Sequence, residues 1–372
     1  MQSRRLEKND MAKILLLGGT GAMGVYLIPE LMNLGHDVFV TSRSARKSDY
    51  NKLVYIQGNA HNENFISKTL TDKYDAIVDF MVYSTKEFSY RHESLLKNTD
   101  HYIFISSARV FAESKVPITE KSPKLLDVLN DPVYLATDEY ALAKARQENI
   151  LRESSYKNWT IVRPTITYSK MRFQLGTLEA NTIIVRALNN CPVILPQEML
   201  QKKTAMTWGG DVVKMIAKLV LNPNSFREDF NVCTDEHRTW EEIASYYNKL
   251  IGLTVVQTNL ANYIKVIGGK YQILYSRMYN RAFDNSKILK ATNMQKENFT
   301  SIYNGLSKEL ANCEQIYKSI KINYALNAKI DRITHSHISL KNASSRDKIL
   351  YYTSYFRILG FLKFVKKYIT TL

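Results

Sequence analysis

A tyrosine and a lysine stand four residues apart, at Tyr140 and Lys144, and a serine precedes them at Ser107. On a helix, residues with this spacing share one face and lie one turn apart. A free phenol, with a pKa near ~10, is a poor base at neutral pH, whereas a neighbouring ammonium favours the phenolate. Ser107 could hydrogen-bond and orient a substrate oxygen. These residue types therefore predict acid–base catalysis, although a Tyr-x-x-x-Lys pair alone is most often a solvated helix face.

A glycine-rich turn directly follows the apolar run Ile14–Leu17 and precedes a helix-forming stretch. Gly18 permits a tight turn, Gly21 lets the backbone approach a phosphate, and Gly24 lets the helix lie close to the strand. The helix N-terminus then offers free N–H groups to an anion. This pattern predicts a dinucleotide site that contains Gly18, Thr20, Gly21, Ala22, Met23 and Gly24.

The end of the second apolar run indicates which dinucleotide would bind. An acidic residue there would hold the 2′-hydroxyl of NAD, but the segment Val40–Lys47 contains none. Ser42 and Arg43 suit a 2′-phosphate. The pattern favours NADP(H), with NAD(H) as the alternative and solvated loop cations as the plainer interpretation. Phe80 and Met81, at the end of a later strand, are expected to line the same site.

Composition limits the class of protein. The chain has 372 residues, 45% of them apolar, and a net charge of +16. This length allows one large or two modest domains. Three widely spaced cysteines predict neither a disulfide framework nor a metal site, and favour the reducing cytoplasm. The sequence contains no run of ~20 apolar residues that could span a bilayer, and the first ten residues lack the apolar core of a secretory signal.

The first 165 residues alternate short apolar runs with helical stretches, which predicts an α/β fold with a doubly wound parallel Rossmann sheet. The predicted strands are Lys13–Leu17, Asp37–Thr41, Leu53–Ile56, Ala76–Phe80, His101–Ser106 and Thr160–Arg163. The predicted helices are Met23–Leu34, Asn62–Leu70, Thr85–Lys97 and Tyr134–Glu153. The proline-containing segment Val110–Pro132 is expected to be a loop.

The alternation fades after Pro164, which predicts a smaller, helix-rich C-terminal substrate domain. Its predicted elements are helices at 176–189, 211–221, 239–251, 285–291 and 302–316, and a short strand at 193–195. The expected organisation is a flexible extension over 1–12, a dinucleotide-binding domain over 13–168, a substrate-binding region over 169–330 that is partly interleaved with the sheet, and a tail over 331–372.

The tail from residue 331 onward carries eight basic and two acidic residues. On a helical wheel Thr353, Arg357, Gly360, Lys363 and Lys367 share one side, and the remainder is largely aromatic and aliphatic. A basic amphipathic helix of this kind can bind an anionic membrane surface. A C-terminal helix that packs on this protein or on a partner is the alternative.

Several motifs resemble those of the extended short-chain dehydrogenase/reductase family, also called the NAD-dependent epimerase/dehydratase family, over roughly residues 13–310. They are Gly18-x-x-Gly21-x-x-Gly24, the segment 104–111 around Ser107, Tyr140-x-x-x-Lys144 with Glu148, Val162-Arg163-Pro164 and Phe283–Lys287.

This resemblance implies that Tyr140 is the acid/base, that Lys144 binds the nicotinamide ribose, and that Ser107 holds the substrate oxygen. It also implies that Asn59 lies near the adenine and that the chain forms a homodimer through the helices at 85–97 and 134–153.

Departures from the family pattern narrow the activity. Ala108 and Arg109 replace the carboxylates that dehydratases and decarboxylases carry after the serine, so simple hydride transfer remains. Ile166 replaces an asparagine that usually touches a diphosphate, and Thr204 replaces an expected arginine. The candidate substrate-binding residues are Arg109, Lys203, Arg277 and Arg281.

The sequence thus predicts a cytoplasmic NAD(P)-dependent epimerase or reductase that acts on a nucleotide-linked sugar in polysaccharide biosynthesis. The alternative is a non-catalytic relative that senses NADP or binds RNA. Such proteins often lose the catalytic tyrosine or lysine, whereas both residue types are present here, so no nucleic-acid partner is expected.

Overall fold

A computed structural model of the chain describes residues 11–170 and 172–358. The chain divides into two units, each drawn from three segments. Unit 1 comprises Met1–Ser169, Ala205–His237 and Arg281–Ile302, and unit 2 comprises Lys170–Thr204, Arg238–Asn280 and Tyr303–Leu372. The predicted N-terminal extension and the tail positions Gly360, Lys363 and Lys367 lie outside the described residues, apart from residues 11 and 12 of the extension.

The strands are β1 (Lys13–Leu17), β2 (Asp37–Ser42), β3 (Leu53–Gln57), β4 (Tyr74–Asp79), β5 (Thr99–Ile105), β6 (Trp159–Pro164), β7 (Ile166–Tyr168), β8 (Gln174–Leu175), β9 (Leu178–Glu179), β10 (Val193–Pro196), β11 (Lys203–Trp208), β12 (Glu228–Val232), β13 (His237–Thr239) and β14 (Val255–Thr258).

The helices are α1 (Gly24–Asn33), α2 (Glu63–Thr69), α3 (Thr85–Lys97), α4 (Leu125–Val128), α5 (Pro132–Leu135), α6 (Tyr140–Glu153), α7 (Ala180–Leu188), α8 (Gln197–Leu200), α9 (Gly209–Leu219), α10 (Trp240–Ile251), α11 (Leu260–Ile267), α12 (Lys270–Gln272), α13 (Ser286–Thr292), α14 (Ile302–Leu310), α15 (Cys313–Ser319), α16 (Tyr324–Thr334) and α17 (Ser345–Tyr355).

Unit 1 is built on a parallel sheet of seven strands in the order β12-β6-β5-β4-β1-β2-β3. Adjacent residues of β1 point to opposite faces, so Ile14 and Leu16 join one buried cluster with α1 and α9, while Leu15 and Leu17 join another with α3 and α6. The predicted doubly wound fold is confirmed. The strand order reverses direction between β1 and β4, which is where open α/β sheets bind their ligands.

Several predicted boundaries are wrong, for local reasons. The helix predicted over 134–153 is two helices, and α6 begins only at Tyr140 because the extended residue Glu139 caps it through the Ala141 N–H. The short helix α4 lies inside the predicted 110–132 loop. The helix predicted over 176–189 begins at Ala180, after the hairpin of β8 and β9, and Asn312 separates α14 from α15 within the predicted 302–316 helix.

Unit 2 contains a buried ion pair that fixes the C-terminal helices. The Arg186 guanidinium lies 2.9 Å from the Asp331 carboxylate, and both side chains are fully buried. Asp331 also accepts hydrogen bonds from the Tyr351 hydroxyl at 2.6 Å and the Ile338 N–H at 3.0 Å. Residue 331, expected to begin a tail, therefore lies inside α16 and joins α7, α16 and α17. Among the described residues, no helix is both long and apolar enough to cross a membrane.

Asp331→Asn should destabilise the protein, because it leaves the Arg186 charge buried without its counter-charge. Breaking one side of a buried pair typically costs about 3–5 kcal/mol. Urea unfolding monitored by circular dichroism measures this change. The matched control is Asp347→Asn on the same C-terminal segment, where the carboxylate only accepts an exposed hydrogen bond from Ser344. Equal losses for the two variants would contradict this role for the buried pair.

Candidate active site

The glycine turn after β1 has the geometry of a phosphate cradle. Gly18 adopts a φ of +68°, which favours glycine, and its N–H donates to the Thr41 hydroxyl at 2.9 Å. A Cβ on Gly24 would lie 2.0 Å from the carbonyl oxygen of Gly19, whereas a Cβ on Gly21 would meet only the Gly18 oxygen, at 3.9 Å. The turn closes tightly beneath the N-terminus of α1 and stays open at Gly21, an arrangement that fits the diphosphate of a dinucleotide.

Thr20, Ala22 and Met23 lie in the turn that links β1 to α1, as predicted from the spacing. Met23 is the residue before the helix, and it makes no side-chain capping hydrogen bond. The first turn of α1 contains no acidic residue. Its N-terminal N–H groups therefore face no competing carboxylate from the helix itself.

The last residue of β2, Ser42, and the loop that follows it carry hydroxyl and guanidinium groups. Ser42 is buried, and its hydroxyl accepts from Arg46 Nε at 3.3 Å and donates to the Ser44 carbonyl at 2.8 Å. Arg43 is exposed. Asn59, after β3, is also exposed, and its side-chain oxygen accepts from the His61 N–H at 3.1 Å. This edge therefore presents the Arg43 guanidinium to solvent.

The end of β4 contributes a segment that the sequence identified only in part. Phe80 donates its N–H to the Leu17 carbonyl at 3.0 Å, which joins this segment to the end of β1. The Met81 sulfur lies 2.9 Å from where a Cβ of Gly18 would be. Asp79, fully buried beside them, was not predicted as a site residue. A charged residue that ends an apolar strand at the carboxyl edge of a parallel sheet is a signal that could have identified it.

Lys144 is buried one turn into α6. Its Nζ donates to the Met81 carbonyl at 3.2 Å and lies 4.4 Å from the centre of the Phe104 ring. Burial lowers the pKa of Lys144 to about 8, although the Asp79 and Glu148 carboxylates act in the opposite direction. A lysine of this kind is charged near neutral pH but held next to the β4 segment, where a ribose hydroxyl could accept its remaining N–H groups.

Tyr140 and Ser107, the candidate acid/base and its partner, each lie at the end of a regular element. Tyr140 is the first residue of α6 and is partly exposed. Ser107 follows β5 and is buried, and its hydroxyl accepts the Arg109 N–H at 3.2 Å. The Ser107 O–H therefore remains available as a donor.

Arg109 lies beside the candidate acid/base. Its guanidinium carbon is 5.3 Å from the centre of the Tyr140 ring, and its Nη2 is 2.5 Å from a Glu139 oxygen. The other Glu139 oxygen accepts from the Tyr134 hydroxyl and the Ala141 N–H, each at 2.9 Å. Arg109 Nε is buried without a hydrogen-bond partner among the described residues. Glu139, missed from sequence, thus fixes both the start of α6 and the arginine above Tyr140.

A buried ionic network holds α6 to the sheet. Both Glu148 oxygens accept from Arg163 at 2.7 Å, and one also accepts from the Ser106 hydroxyl at 2.6 Å. Lys124 Nζ lies 2.9 Å from the same carboxylate. Burial alone raises the pKa of Glu148, but the attraction of Arg163 outweighs it and lowers that pKa to about 2. The carboxylate is therefore ionised across the physiological range.

The remaining candidate substrate residues lie in both units. In unit 1, Arg281 is buried, and its Nη1 donates to the Ala108 carbonyl at 3.4 Å. In unit 2, Lys203 is exposed, whereas Arg277 is buried and donates to the Gly176 carbonyl at 2.8 Å and to Gln174 at 3.0 Å. Arg277 already makes structural hydrogen bonds within its unit, so its binding role stays a prediction.

Two curated proteins are similar to parts of this chain. A chloroplast stem-loop binding protein of 41 kDa from Arabidopsis thaliana is 24% identical over 252 residues, which cover 62% of this chain and 61% of that protein. A UDP-glucose 4-epimerase from Lactobacillus helveticus is 32% identical over 133 residues, which cover 30% of this chain and 40% of that protein. The chain thus spans less than two thirds of either relative.

Solved structures share the fold at low sequence identity. The epimerase Mth375 from Methanothermobacter thermautotrophicus superposes with a TM-score of 0.64 at 15% identity, covering 84% of this chain and 96% of that one. A UDP-glucuronic acid 4-epimerase from Bacillus cereus, solved with UDP-glucuronic acid and NAD, gives 0.61 at 17% identity, covering 82% and 100%.

The WbmG enzyme of Bordetella bronchiseptica, solved with NAD and UDP, gives a TM-score of 0.61 at 16% identity, covering 83% of this chain and 96% of that one. These likenesses show that the chain shares the overall fold of these proteins. The model of the NAD dependent epimerase/dehydratase family matches residues 14–233, which include the glycine turn and the Ser107, Tyr140 and Lys144 positions. The chain therefore belongs to the NAD dependent epimerase/dehydratase family.

Proposed function

We propose that this chain is an NAD(P)-dependent epimerase or reductase that acts at a carbinol or ketone carbon of a nucleotide-linked sugar. The observation that carries the proposal is the buried Lys144, whose Nζ binds the Met81 carbonyl next to the glycine turn. Lys144 lies one helical turn from Tyr140 and contacts the segment beside the glycine turn, so it connects the candidate acid/base with the candidate dinucleotide site. The names of the solved relatives, which include enzymes with bound NAD and uridine nucleotides, support the substrate class.

In this proposal, the chain's own residues move one proton and hold one oxygen. Ser107 donates a hydrogen bond to the substrate oxygen. During oxidation the Tyr140 phenolate takes the hydroxyl proton and becomes the phenol, and during reduction the phenol gives that proton back to the substrate oxygen. Lys144 keeps its positive charge beside this exchange and binds the ribose. A nicotinamide ring, when bound, accepts or donates the hydride at the adjacent carbon.

Arg109 is proposed to bind substrate above the acid/base. Its buried Nε is unpartnered among the described residues, while Glu139 holds the other end of the guanidinium. Lys203, Arg277 and Arg281 remain candidates for the diphosphate of the substrate.

A second candidate function is RNA binding. It is favoured by the Arabidopsis stem-loop binding protein, which matches a longer part of this chain than the Lactobacillus epimerase does. The Tyr140 and Lys144 pair supports the enzyme instead. A protein that only binds RNA would need neither of these residues near the glycine turn.

We further propose a homodimer through α3 and α6. Tyr90, on α3, is 69% exposed, and α3 lies against α6 within unit 1. An exposed aromatic side chain on this helix pair suits a contact with a second copy.

Tyr140→Phe should lower turnover about 10²–10⁴-fold, because it removes the group that transfers the proton. Affinity for NADH and NADPH, measured by fluorescence titration, should stay within about twofold because the variant keeps the ring and Lys144. Turnover is measured on UDP-sugars and their 4-keto derivatives, with Tyr352→Phe, which removes an exposed tyrosine hydroxyl far along the chain from Tyr140, as the matched control. Unchanged turnover in Tyr140→Phe would remove the acid/base assignment, and specific stem-loop RNA binding without turnover would favour the second candidate.

Arg43→Ala should weaken NADPH binding about tenfold and leave NADH binding nearly unchanged, because a charged hydrogen bond to the 2′-phosphate is lost. The dissociation constants of both cofactors are measured at low and physiological salt. Lys68→Ala, which removes another exposed cation from α2, controls for general charge. A parallel loss for both cofactors would contradict the preference for NADP(H).

The C-terminal region is proposed to bind anionic membranes at the cytoplasmic surface. Ile349 and Phe356 of this region are 64% and 63% exposed, and the cations Lys348 and Arg357 are exposed beside them. Apolar residues flanked by lysine and arginine are suited to the lipid interface.

Replacing Ile349 and Phe356 together by Glu should abolish flotation of the full chain with phosphatidylserine vesicles, because it removes the apolar contact and adds repulsion. Neutral phosphatidylcholine vesicles and Val116→Glu, which charges another exposed apolar residue outside this region, serve as controls. Flotation equal to that of the unaltered protein would exclude a membrane role for these two residues.

A further inference from the structure

Asp79 is a fully buried acid at the carboxyl end of β4. It accepts hydrogen bonds from the Tyr102 hydroxyl at 2.7 Å, the Tyr83 hydroxyl at 3.1 Å and the Met81 N–H at 2.9 Å. Buried carboxylates are expensive unless they are bonded and compensated by charge. These three donors satisfy the carboxylate oxygens but supply no positive charge.

The cation that compensates Asp79 is Lys144, and the Met81 peptide connects the two residues. Asp79 binds the N–H of Met81, and Lys144 Nζ binds its carbonyl at 3.2 Å. Gln147 of α6 also binds this segment, two residues after Met81, because its side-chain amide donates to the Tyr83 carbonyl at 2.8 Å. A buried acid and a buried base thus grip opposite ends of one residue, directly beside Gly18.

Two carboxylates and one aromatic ring, each from a different element packed around Lys144, influence its charge. Asp79 acts on it from β4 and Glu148 from its own helix, and both favour its charged form against the burial that lowers its pKa to about 8. From β5, Phe104 presents only its ring. Glu148 is already bound by Arg163. Asp79 is therefore the carboxylate whose charge is available to Lys144.

Asp79 is influenced in return. Burial raises the pKa of Asp79, and its hydrogen bonds together with the Lys144 charge oppose that rise. The pKa values of Tyr83 and Tyr102 are raised by burial and by Asp79 itself, so both stay protonated donors. Lys144, whose pKa burial lowers to about 8, is the member of this cluster whose loss of a proton a pH series near neutrality would follow.

We propose that Asp79 is a positioning residue that keeps the Lys144 ammonium charged and the Met81 peptide oriented, so that cofactor affinity persists through neutral pH. The inference rests on the proposed dinucleotide site. Only the ammonium has three N–H donors, one of which is used on Met81. Once Lys144 loses its proton, it loses both the charge and a donor that a ribose hydroxyl would accept.

Asp79→Asn tests this proposal because it keeps the side-chain size and one acceptor but removes the charge. Dissociation constants for NADH and NADPH are measured by fluorescence from pH 6 to pH 9.5. In the unaltered protein the affinity should fall as pH rises through the Lys144 pKa. In Asp79→Asn the midpoint of that fall should lie about one pH unit lower, with affinity near pH 6 changed by less than about twofold.

A double-mutant cycle separates positioning from general support of the fold. Lys144→Met should remove the pH-dependent fall, and adding Asp79→Asn to it should then cause no further pH-dependent loss. Asp75→Asn, at the opposite end of the same strand, is the matched control and should leave the midpoint unchanged. An unshifted midpoint in Asp79→Asn, or a shift that persists in the Lys144→Met background, overturns the proposal.

If Asp79→Asn does not fold, Tyr102→Phe takes its place, since it removes the 2.7 Å hydrogen bond that favours the ionised carboxylate. It should shift the midpoint in the same direction by less, and no shift would overturn the proposal. Failure of the unaltered protein to bind either cofactor at any pH would instead reject the proposed dinucleotide function, and this inference with it.

Discussion

The position of α6 on the sheet depends on the buried Glu148 carboxylate. Two hydrogen bonds from Arg163 on β6 and one from Ser106 at the end of β5 hold it. Because residues 140, 144 and 148 are spaced by one turn each, fixing the last of them fixes the depth and rotation of the first two. A buried ion pair contributes little net stability compared with an apolar core, but the arrangement that keeps its partners paired is favoured over any that leaves a buried charge uncompensated. Here that arrangement sets where the lysine and the tyrosine lie.

The alternating strands and helices of the dinucleotide-binding half could be predicted from local sequence patterns. The turn at Gly18 and the first strands were predicted within one or two residues, since a glycine-rich turn after an apolar run has few structural solutions. The helix that carries Tyr140 and Lys144 was predicted too long, because the cap at Glu139 depends on side-chain contacts that periodicity does not record. Strand β14, which pairs with β10 in unit 2, was also missed, since its partner lies far away in the sequence.

The candidate site shows the same division. Residue types with a known chemical use, such as Tyr140, Lys144 and Ser107, could be proposed from spacing and resemblance. The contacts of Asp79 with Tyr102 and the Met81 N–H, and the pairing of Arg109 with Glu139, could not, because each joins groups whose proximity exists only in the folded chain. The sequence showed that Arg109 follows β5. Only the fold reveals that Arg109 lies over the Tyr140 ring and pairs with the carboxylate of Glu139, the residue that caps α6.

Unit 2 is assembled from three separated stretches of chain, and Arg186 in the first of them pairs with Asp331 in the last. During synthesis on a ribosome, α7 is made long before α16 emerges. Arg186, which is buried in the folded unit, therefore has no Asp331 to pair with for most of that time. Contacts with such large sequence separation form late. Until they form, the nascent unit exposes the apolar residues around Val185 and Tyr324, and a chaperone that binds exposed apolar segments would find its targets there.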